Sequence, residues 1–471
     1  MRPTSARPPS TGKVRRDVIG GKRAAGHRLQ GEGRKIRRPD PTRIALTGVD
    51  TSLTAVGGLV EFGAFIKGLE VDSELRKRFN KLKSGRGVVY PMAAQMRLLL
   101  DVAAVGESRV FGVEALAADP LFTTLCGGSV PSIDTLYRDL ERFEPVHIDG
   151  LEAMLTEHGL ADVPDLKLAV AHIDIDSTVM TVFGSQEGAL PGPNPRYQGR
   201  PSYHPLLARI AETGMIIGAK LRPGDTSFGA QDVEFVTEAI RNTRAKVGPN
   251  ALLYVRIDGA ADCTAIMSAI DEEKAFFITK ADITRDLVGT IASIPPRAWK
   301  TVDEDADGRP TRQVAEVPFQ RGEWAKAGKN FRVIAVRSRD RDTGKQVALW
   351  GDLDFTVQAF ISNDTFSDGD DLAHRYNLRA GIEPLIGELK YGFGIGKVSS
   401  SVFFANEAAF LIKLLAFNLI RRWVRARHPQ LARWRTPWLR RALIVRPGKL
   451  VRSGRRRTLR LAPRPLLVQH E

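Results

Sequence analysis

The stretch LKLAVAHIDIDST at residues 166–178 decides the fold class of this chain. It opens as an apolar run that begins to alternate with polar residues near Asp174, which predicts a strand buried in a sheet. Asp174 and Asp176 are two residues apart and therefore point to one face of that strand. Burying a carboxylate costs free energy, so acids collect where a strand leaves its sheet, and α/β proteins build their sites at such ends. This strand end is a candidate site, although two acids in this position are more often turn caps.

Alternating strands and helices follow this strand along the chain. Three strands are predicted in succession, and then helix, strand, helix and strand, an order typical of an α/β fold with a mixed sheet. The predicted bounds are 166–174, 179–183 and 215–221 for the three strands, then 228–247, 252–257, 260–270 and 275–279. Residues 283–365 are rich in short strands and turns and predict an all-β insertion. Helical patterning returns at residues 371–423.

The region before the first strand, residues 44–160, predicts a helical DNA-binding domain. The amphipathic runs lie at 50–69, 92–105, 113–118 and 132–143. Ser132 is a predicted helix cap that follows a turn at Gly127 and Gly128. Short helices joined by such a turn indicate either a helix-turn-helix or a plain bundle, and the sequence alone does not separate the two.

The charge of the chain indicates an anionic partner. Its 471 residues include 70 Lys and Arg against 54 Asp and Glu, a formal net charge of +16, and 43% of them are hydrophobic. This composition excludes a wholly disordered chain, and two cysteines exclude a disulfide scaffold. Nucleic acid is the usual partner of a protein this basic. We therefore expect a nucleic acid as the partner.

Both ends of the chain concentrate this positive charge. Residues 1–43 hold thirteen Arg and Lys against three acids, which predicts a basic disordered arm. Residues 421–464 hold sixteen basic residues and no acid, and such a run is tolerated best when phosphates neutralise it. We expect a basic C-terminal tail at 424–471 that contacts DNA and contains a hairpin at 445–451 and 458–461. The DNA contacts are expected to begin at Arg421, Arg422 and Arg425.

No membrane span or secretory signal is predicted. The most apolar stretch, Ala408–Ile420, is interrupted by Lys413 and is shorter than the roughly 18–20 residues that cross a bilayer. The basic N-terminus has no apolar segment after it. We expect a cytoplasmic, nucleoid-associated protein.

Two further constellations of polar residues complete the candidate site. Asp258 follows the apolar run at 252–257 and precedes a glycine that permits a sharp turn, although an acid there could equally cap the next helix. Tyr376, Arg379, Glu383 and Lys390 lie at offsets of 0, 3, 7 and 14, which is one stripe of an α-helix. Gly381 and Pro384 interrupt that stripe, so we expect a kink, or a helix that restarts at Pro384 with Glu383 near its cap.

The spacing of Tyr376, Arg379, Glu383 and Lys390 resembles the signature of the DDE transposases of bacterial insertion sequences. The segments around Asp176 and Asp258 are similar to the two conserved aspartate segments of that family. The long gap before Glu383 resembles the branch in which a β-rich insertion interrupts the catalytic domain. The resemblance covers about residues 45–465.

The resemblance implies a ribonuclease-H-like catalytic domain at 161–282 and 366–423, interrupted by the insertion. Asp176, Asp258 and Glu383 would be the catalytic residues and would bind Mg²⁺, with Mn²⁺ as a substitute. Arg379 and Lys390 would neutralise DNA phosphates, and Tyr376 would contact the cleaved end. The activity implied is cleavage at the ends of an element and transfer of the 3′-hydroxyl to target DNA. The partner implied is double-stranded DNA, namely the terminal inverted repeats of the element and the target. A homodimer on this DNA is expected, because two ends must be held together.

Other interpretations remain open at this level. An inactive DNA-binding remnant would keep the charge and lose the acids, and Asp174-Ile175-Asp176 is also similar to the metal-binding pair of glycosyltransferases. Glu388 is a less favoured substitute for Glu383. The glycine-rich run at 392–397 is followed by Val398, where a phosphate loop needs Ser or Thr, so no nucleotide cofactor is predicted.

Overall fold

The computed structural model describes residues 41–45, 48–259, 262–339, 355–398 and 400–463. The predicted basic arm lies outside these ranges except for a 3₁₀ turn at Pro41–Arg43.

Most of residues 59–160 is helical, in the region where the sequence predicts helices. They follow a short strand, and their bounds are β1 (Leu53–Thr54), α1 (Leu59–Gly68), α2 (Val71–Phe79), α3 (Met92–Val105), α4 (Gly112–Ala117), α5 (Pro120–Leu125), α6 (Ile133–Leu140) and α7 (Pro145–Leu160). Ser132 caps α6, because its hydroxyl accepts a hydrogen bond from the Thr135 amide at 3.3 Å. The choice between a helix-turn-helix and a bundle stays open.

The strand predicted from residues 166–174 is an interior strand of a mixed sheet. The next elements are β2 (Val170–Ser177), β3 (Met180–Thr181), β4 (Leu190–Pro191), β5 (Pro201–Tyr203), β6 (Leu206–Ile210), β7 (Met215–Lys220), α8 (Val233–Val247), β8 (Leu252–Ile257), α9 (Thr264–Glu272) and β9 (Phe276–Lys280). Strands β7, β6, β2, β8 and β9 lie side by side in that order. Strand β2 is antiparallel to β6 and parallel to β8, and β8 is parallel to β9. Strands β3, β5 and β4 form a small separate sheet.

The predicted all-β insertion is wrong in two respects. Residues 283–365 contain α10 (Arg285–Ala292), β10 (Lys300–Glu304), β11 (Pro310–Val317), α11 (Gly322–Lys326), β12 (Arg332–Ser338) and β13 (Thr356–Ser362), so helices are present. The strands also extend the central sheet to nine, because β13 pairs antiparallel with β9. This pairing satisfies the outer edge of β9, which would otherwise present unpaired backbone groups.

The C-terminal part begins with the expected helices and ends in the expected hairpin. Its elements are α12 (Gly369–Asn377), a 3₁₀ segment (Leu378–Gly381), α13 (Ile382–Gly392), α14 (Phe403–Arg427), α15 (Thr436–Leu439), β14 (Gly448–Ser453) and β15 (Arg456–Leu461). The hairpin β14–β15 joins β1 through antiparallel pairing of Leu53 with Lys449. The end of the described chain therefore returns to its beginning.

Helix α14 unites the helical region with the central sheet. By length and composition it could cross a membrane, but 89% of its most apolar 18-residue window is buried inside the fold. It packs against α3, α6 and α7 on one side and against β7 on another. One hydrophobic core thus continues from α1 through α14, and the predicted boundary at residue 160 does not divide it.

The glycine-rich run after α13 is a structural loop. Lys413 of α14 is buried, and its ammonium donates hydrogen bonds to the carbonyl oxygens of Gly394 and Lys397 at 2.9 and 3.1 Å. Gly394 has a φ of +58°, and a Cβ there would lie 2.4 Å from the Cβ of Ser108. The glycine is therefore required by close packing, which explains the motif without a phosphate ligand.

Candidate active site

Asp176 and Asp258 lie side by side at one end of the sheet. Strands β2 and β8 are parallel neighbours, and their register pairs Ile175 with Ile257. The residue that follows each of these two isoleucines therefore lies at the same edge of the sheet. Asp258 directly follows β8, and its carboxylate accepts a hydrogen bond from the amide of Gly259 at 2.8 Å. It does not cap α9, which begins at Thr264 after Cys263. The helix-cap alternative for Asp258 is therefore wrong.

The helical stripe from Tyr376 to Lys390 is broken as expected. Tyr376 lies in α12, Arg379 in the 3₁₀ segment, and Glu383 in the first turn of α13. The second helix restarts at Ile382, two residues earlier than the predicted Pro384. Proline is tolerated there because an amide in the first turn has no partner within the helix.

Arg379 contacts all three predicted acids. Its Nη1 lies 3.2 Å from an Asp176 carboxylate oxygen, and its Nη2 lies 3.6 Å from Asp258 and 3.6 Å from Glu383. The structure thus brings Asp176, Asp258 and Glu383 around one guanidinium, although they come from two strands and a helix.

The three carboxylates differ in their exposure to solvent. The side chain of Asp176 is 17% exposed, whereas those of Asp258 and Glu383 are 51% and 66% exposed. Burial raises the pKa of Asp176 to about 6; Arg379 opposes this rise and the charge of Asp258 adds to it. Asp176 therefore lies at the buried bottom of the site, whereas Asp258 and Glu383 lie on its solvent-exposed side. A large substrate can approach from that side.

Tyr376 closes the site beside Asp258. Its hydroxyl donates a hydrogen bond to an Asp258 oxygen at 3.2 Å, and its ring packs 4.9 Å from that of Phe360. Burial raises the pKa of Tyr376 to about 12, so the phenol remains a hydrogen-bond donor at neutral pH.

Asp174 has a structural function beneath this site. It is fully buried, and its carboxylate accepts hydrogen bonds from Arg209 at 2.7 and 2.9 Å and from Arg256 at 2.6 Å. Arg209 also donates to the carbonyl oxygen of Gly381, and Arg256 donates to that of Arg375. These two carbonyls flank the segment that carries Tyr376 and Arg379, so Asp174 fixes that segment over the sheet.

The contacts of Asp174 distinguish the two aspartates of β2 as candidate metal ligands. Both oxygens of Asp174 are used by arginines in the protein interior, which leaves none to bind the metal of a nucleotide sugar. The glycosyltransferase interpretation of Asp174-Ile175-Asp176 has no structural support. Sequence reasoning missed Arg209 and Arg256, and the only signal was a charged residue inside the otherwise apolar run at 252–257.

Lys390 and Glu388 of α13 lie in different surroundings. The Lys390 ammonium donates a hydrogen bond to the carbonyl oxygen of Val179 at 2.9 Å, just beyond the end of β2. Glu388 accepts hydrogen bonds from Arg421 at 2.8 Å and from the amide of Thr436 at 2.7 Å, and its side chain is 7% exposed. Glu388 is therefore occupied in fixing the tail and is unsuited to replace Glu383.

The arginines expected to begin the DNA contacts are bonded within the protein. Arg421 donates to Glu388 and to the carbonyl oxygen of Trp434. Arg422 pairs with Asp162 at 3.1 Å, and Arg425 donates to the carbonyl oxygen of Thr213. All three lie on α14, a core helix, so their guanidiniums anchor that helix to its neighbours. Their contact with DNA stays a prediction that the structure does not favour.

Carboxylates and cations gathered at the end of a mixed sheet suit chemistry on phosphodiesters. The family model described as transposase DDE domain group 1 matches residues 40–466. The chain belongs to this family of DDE transposases, enzymes that cleave DNA and transfer its strands. A search of the curated proteins found no match.

Two transposase complexes are among the solved structures that match the chain. A cryo-EM structure of the piggyBac transposase synaptic complex with hairpin DNA is 13% identical, covers 81% of this chain and 78% of its own, and gives a TM-score of 0.40. A Drosophila P element transposase strand transfer complex is 14% identical, covers 50% of this chain and 52% of its own, and gives a TM-score of 0.21.

The family uses divalent metal ions, and the three acids supply the hard oxygen ligands that such ions need. Among the described residues no group of three or more His, Cys, Asp or Glu side chains is close enough to hold a metal ion. The cation that contacts all three carboxylates in this structure is the guanidinium of Arg379. The donor set, three carboxylates, is of the type that fits a hard divalent ion.

Removing the charge of Asp174 and removing that of Asp176 should have different effects on the free energy of unfolding. At pH 7.5 the substitution Asp174→Asn should lower the free energy of unfolding by about 3–5 kcal/mol, because it leaves two buried arginines without their partner. Asp176→Asn should leave it unchanged or raise it by about 1–3 kcal/mol, because ionising Asp176 in its buried position is unfavourable.

Urea unfolding of both variants and the wild type measures these values. The pKa of Asp176 is raised by folding, so its protonation favours the folded state. The difference between Asp176→Asn and the wild type should therefore shrink as the pH falls through 6. Equal losses of stability in both variants would contradict the assignment of Asp174 as the structural residue.

Proposed function

We propose that this chain is an active transposase that cleaves DNA at the ends of an insertion sequence and joins the freed 3′-hydroxyl to target DNA. The observation that carries this proposal is the convergence of Asp176, Asp258 and Glu383 on one guanidinium. A remnant without activity would have no reason to retain all three acids in contact.

We propose a ribonuclease-H-like catalytic domain as the frame of this site. The support is the placement of the acids, which come from the central strand β2, the parallel strand β8 and the later helix α13. Strands of the insertion extend the same sheet, so the domain would include β10–β13 as its outer strands.

Asp176, Asp258 and Glu383 would hold Mg²⁺, or Mn²⁺ as a substitute. Divalent ions bound there would stabilise the negative charge on the attacking and the leaving oxygen of a phosphodiester displacement. The buried floor at Asp176 would fix one edge of the site, and the exposed Asp258 and Glu383 would face the incoming DNA.

The cationic side chains would bind the phosphates of that DNA. A phosphate beside the acids would attract the guanidinium of Arg379, for which a phosphate is a bidentate partner. Its departure would release the three carboxylates together. The hydroxyl of Tyr376 would donate its hydrogen bond to the DNA instead of to Asp258. Lys390 would bind a phosphate near the end of β2.

Asp176→Asn, Asp258→Asn and Glu383→Gln should each reduce DNA strand cleavage by at least about a thousandfold, because each removes a metal ligand. Binding to DNA should stay within about twofold, because no phosphate contact is lost. Cleavage of labelled DNA from the borders of the element, measured with magnesium, tests this prediction.

Asp371→Asn is the matched control, since Asp371 is an exposed acid of α12 on the same part of the chain. It should cleave like the wild type. Cleavage that persists in any of the three variants would remove that acid from the catalytic set.

We propose that the hairpin β14–β15 makes the DNA contacts of the tail. Arg455, Arg456, Arg457 and Arg460 are exposed, and their guanidiniums have no hydrogen-bonding or ionic partner among the described residues. The guanidiniums of Arg421, Arg422 and Arg425 on α14 differ in being bonded within the protein. A two-stranded ribbon fits the major groove of DNA.

The double substitution of Arg456 and Arg460 by alanine should therefore weaken DNA binding and lower the slope of log affinity against log salt by about 2. Arg285→Ala with Arg297→Ala removes the same charge from exposed positions in α10 and in the turn before β10, outside the hairpin, and should leave the slope unchanged. Titrations of duplex DNA at several salt concentrations measure both slopes. An equal slope in the two double variants would place the DNA contacts elsewhere.

We propose a dimer that forms on DNA, in the cytoplasm at the nucleoid. Two ends must be held together, and a twofold arrangement is the simplest closed assembly. The net charge of +16 opposes association of the free protein until phosphates neutralise it.

Light scattering should therefore give a monomer for the free protein and two protomers with two DNA ends in the complex. A monomer that cleaves with one-end stoichiometry, at a rate independent of protein concentration, would contradict the dimer.

A further inference from the structure

The small sheet β3–β5–β4 carries an exposed group of aromatic and arginine side chains that the catalytic site does not use. Phe183 is 71% exposed and Tyr197 is 39% exposed, and their rings meet edge to face with centroids 5.9 Å apart. The guanidinium of Arg200 lies 5.7 Å from the Phe183 ring centre, and that of Arg196 lies 5.4 Å from the Tyr197 ring centre.

This group is held rigidly although it faces solvent. Asn194 is buried; its side-chain amide donates to the hydroxyl of Thr181 at 3.0 Å, and its oxygen accepts from the amide of Tyr197 at 3.1 Å. The amide of Val182 donates to the carbonyl oxygen of Pro201, which fixes the chain next to Phe183. At 71% exposure the Phe183 ring adds little hydrophobic stabilisation to the fold, and its surface is available to a ligand.

The group lies beside the catalytic centre. Phe183 is seven residues beyond Asp176 on the same stretch of chain, and the ammonium of Lys390 bonds to Val179 between them. Strand β3 begins at Met180, directly after Val179, and its pairing of Thr181 with Ser202 joins this stretch to the segment that carries Arg200. A nucleic acid strand bound at Asp176 would therefore pass the aromatic rings.

We propose that Phe183, Tyr197, Arg196 and Arg200 form a stacking platform for unpaired DNA bases next to the cleaved phosphodiester. Aromatic rings stack on any base, and arginine adds attraction to the backbone and to the rings. The bases of a paired duplex are already stacked on each other, so the platform selects DNA whose strands are separated. This inference rests on the proposed function for the identity of the nucleic acid.

The test compares two DNA probes bound by the full-length protein. One is a blunt duplex, and the other is the same duplex with a short fork of unpaired thymidines. The wild type should prefer the fork, and Phe183→Ala with Tyr197→Ala should lower that preference about tenfold, the loss expected for one or two stacked bases. Its affinity for the blunt duplex should change less than twofold.

Two further variants control for folding and for general loss of aromatic surface. Phe183→Trp with Tyr197→Trp keeps the stacking surfaces and should keep the preference. Phe111→Ala removes another exposed phenylalanine with an arginine 5.9 Å from its ring centre, in the helical region, and should also keep it. Ultraviolet crosslinking of 5-iodouracil in the fork should map to Phe183 or Tyr197.

An unchanged preference in the double alanine variant, or crosslinks that map elsewhere, would overturn the platform. These outcomes are separable from failure of the proposed function. A protein that prefers the fork through these rings but cleaves no DNA would refute the transposase activity alone, and one that cleaves element ends with an unchanged preference would refute the platform alone.

Discussion

The interaction on which the candidate site depends is the buried group of Asp174 with Arg209 and Arg256. One carboxylate on an interior strand of the sheet binds two guanidiniums, and these donate to backbone carbonyls on either side of the segment that carries Tyr376 and Arg379. Loss of one member would leave buried charge unpaired, at a cost of about 3–5 kcal/mol. The polar layer thus sets the register between sheet and helix, which apolar packing alone would leave freer to slide.

The fold gives this register a rigid surrounding. Helix α14 packs on the helical region and on β7, and the strands of the insertion continue the sheet on its other side, beyond β9. The tail then returns through Arg440, which is buried and donates hydrogen bonds to the carbonyl oxygens of Ala103, Ala104 and Gly392 at the ends of α3 and α13. Segments far apart in sequence are therefore parts of one body, and a substitution in the tail can reach the catalytic helix.

The sequence predicted those elements whose patterns are local. Strand β8 and helix α3 have the predicted bounds. The first is a short, mostly apolar run and the second a long run of helical periodicity, and each pattern favours one type of element. The three acids were predicted through a resemblance, and their convergence could not be computed from spacing. The partners of Asp174, the pairing of β13 with β9 and the internal bonds of Arg421 and Arg425 were missed, because each joins residues distant in sequence. A run of arginines looks the same whether it faces solvent or core.

The position of Arg379 separates two events that many metalloproteins combine, namely the assembly of the acidic residues and the binding of a metal ion. In small zinc domains the acidic or thiolate ligands cannot gather without the ion, so metal binding supplies the folding free energy. Here a side chain of the same polypeptide acts as a provisional counter-ion, and the carboxylates assemble around it. The mutual repulsion of the three acids is therefore offset by a cation that the polypeptide itself supplies.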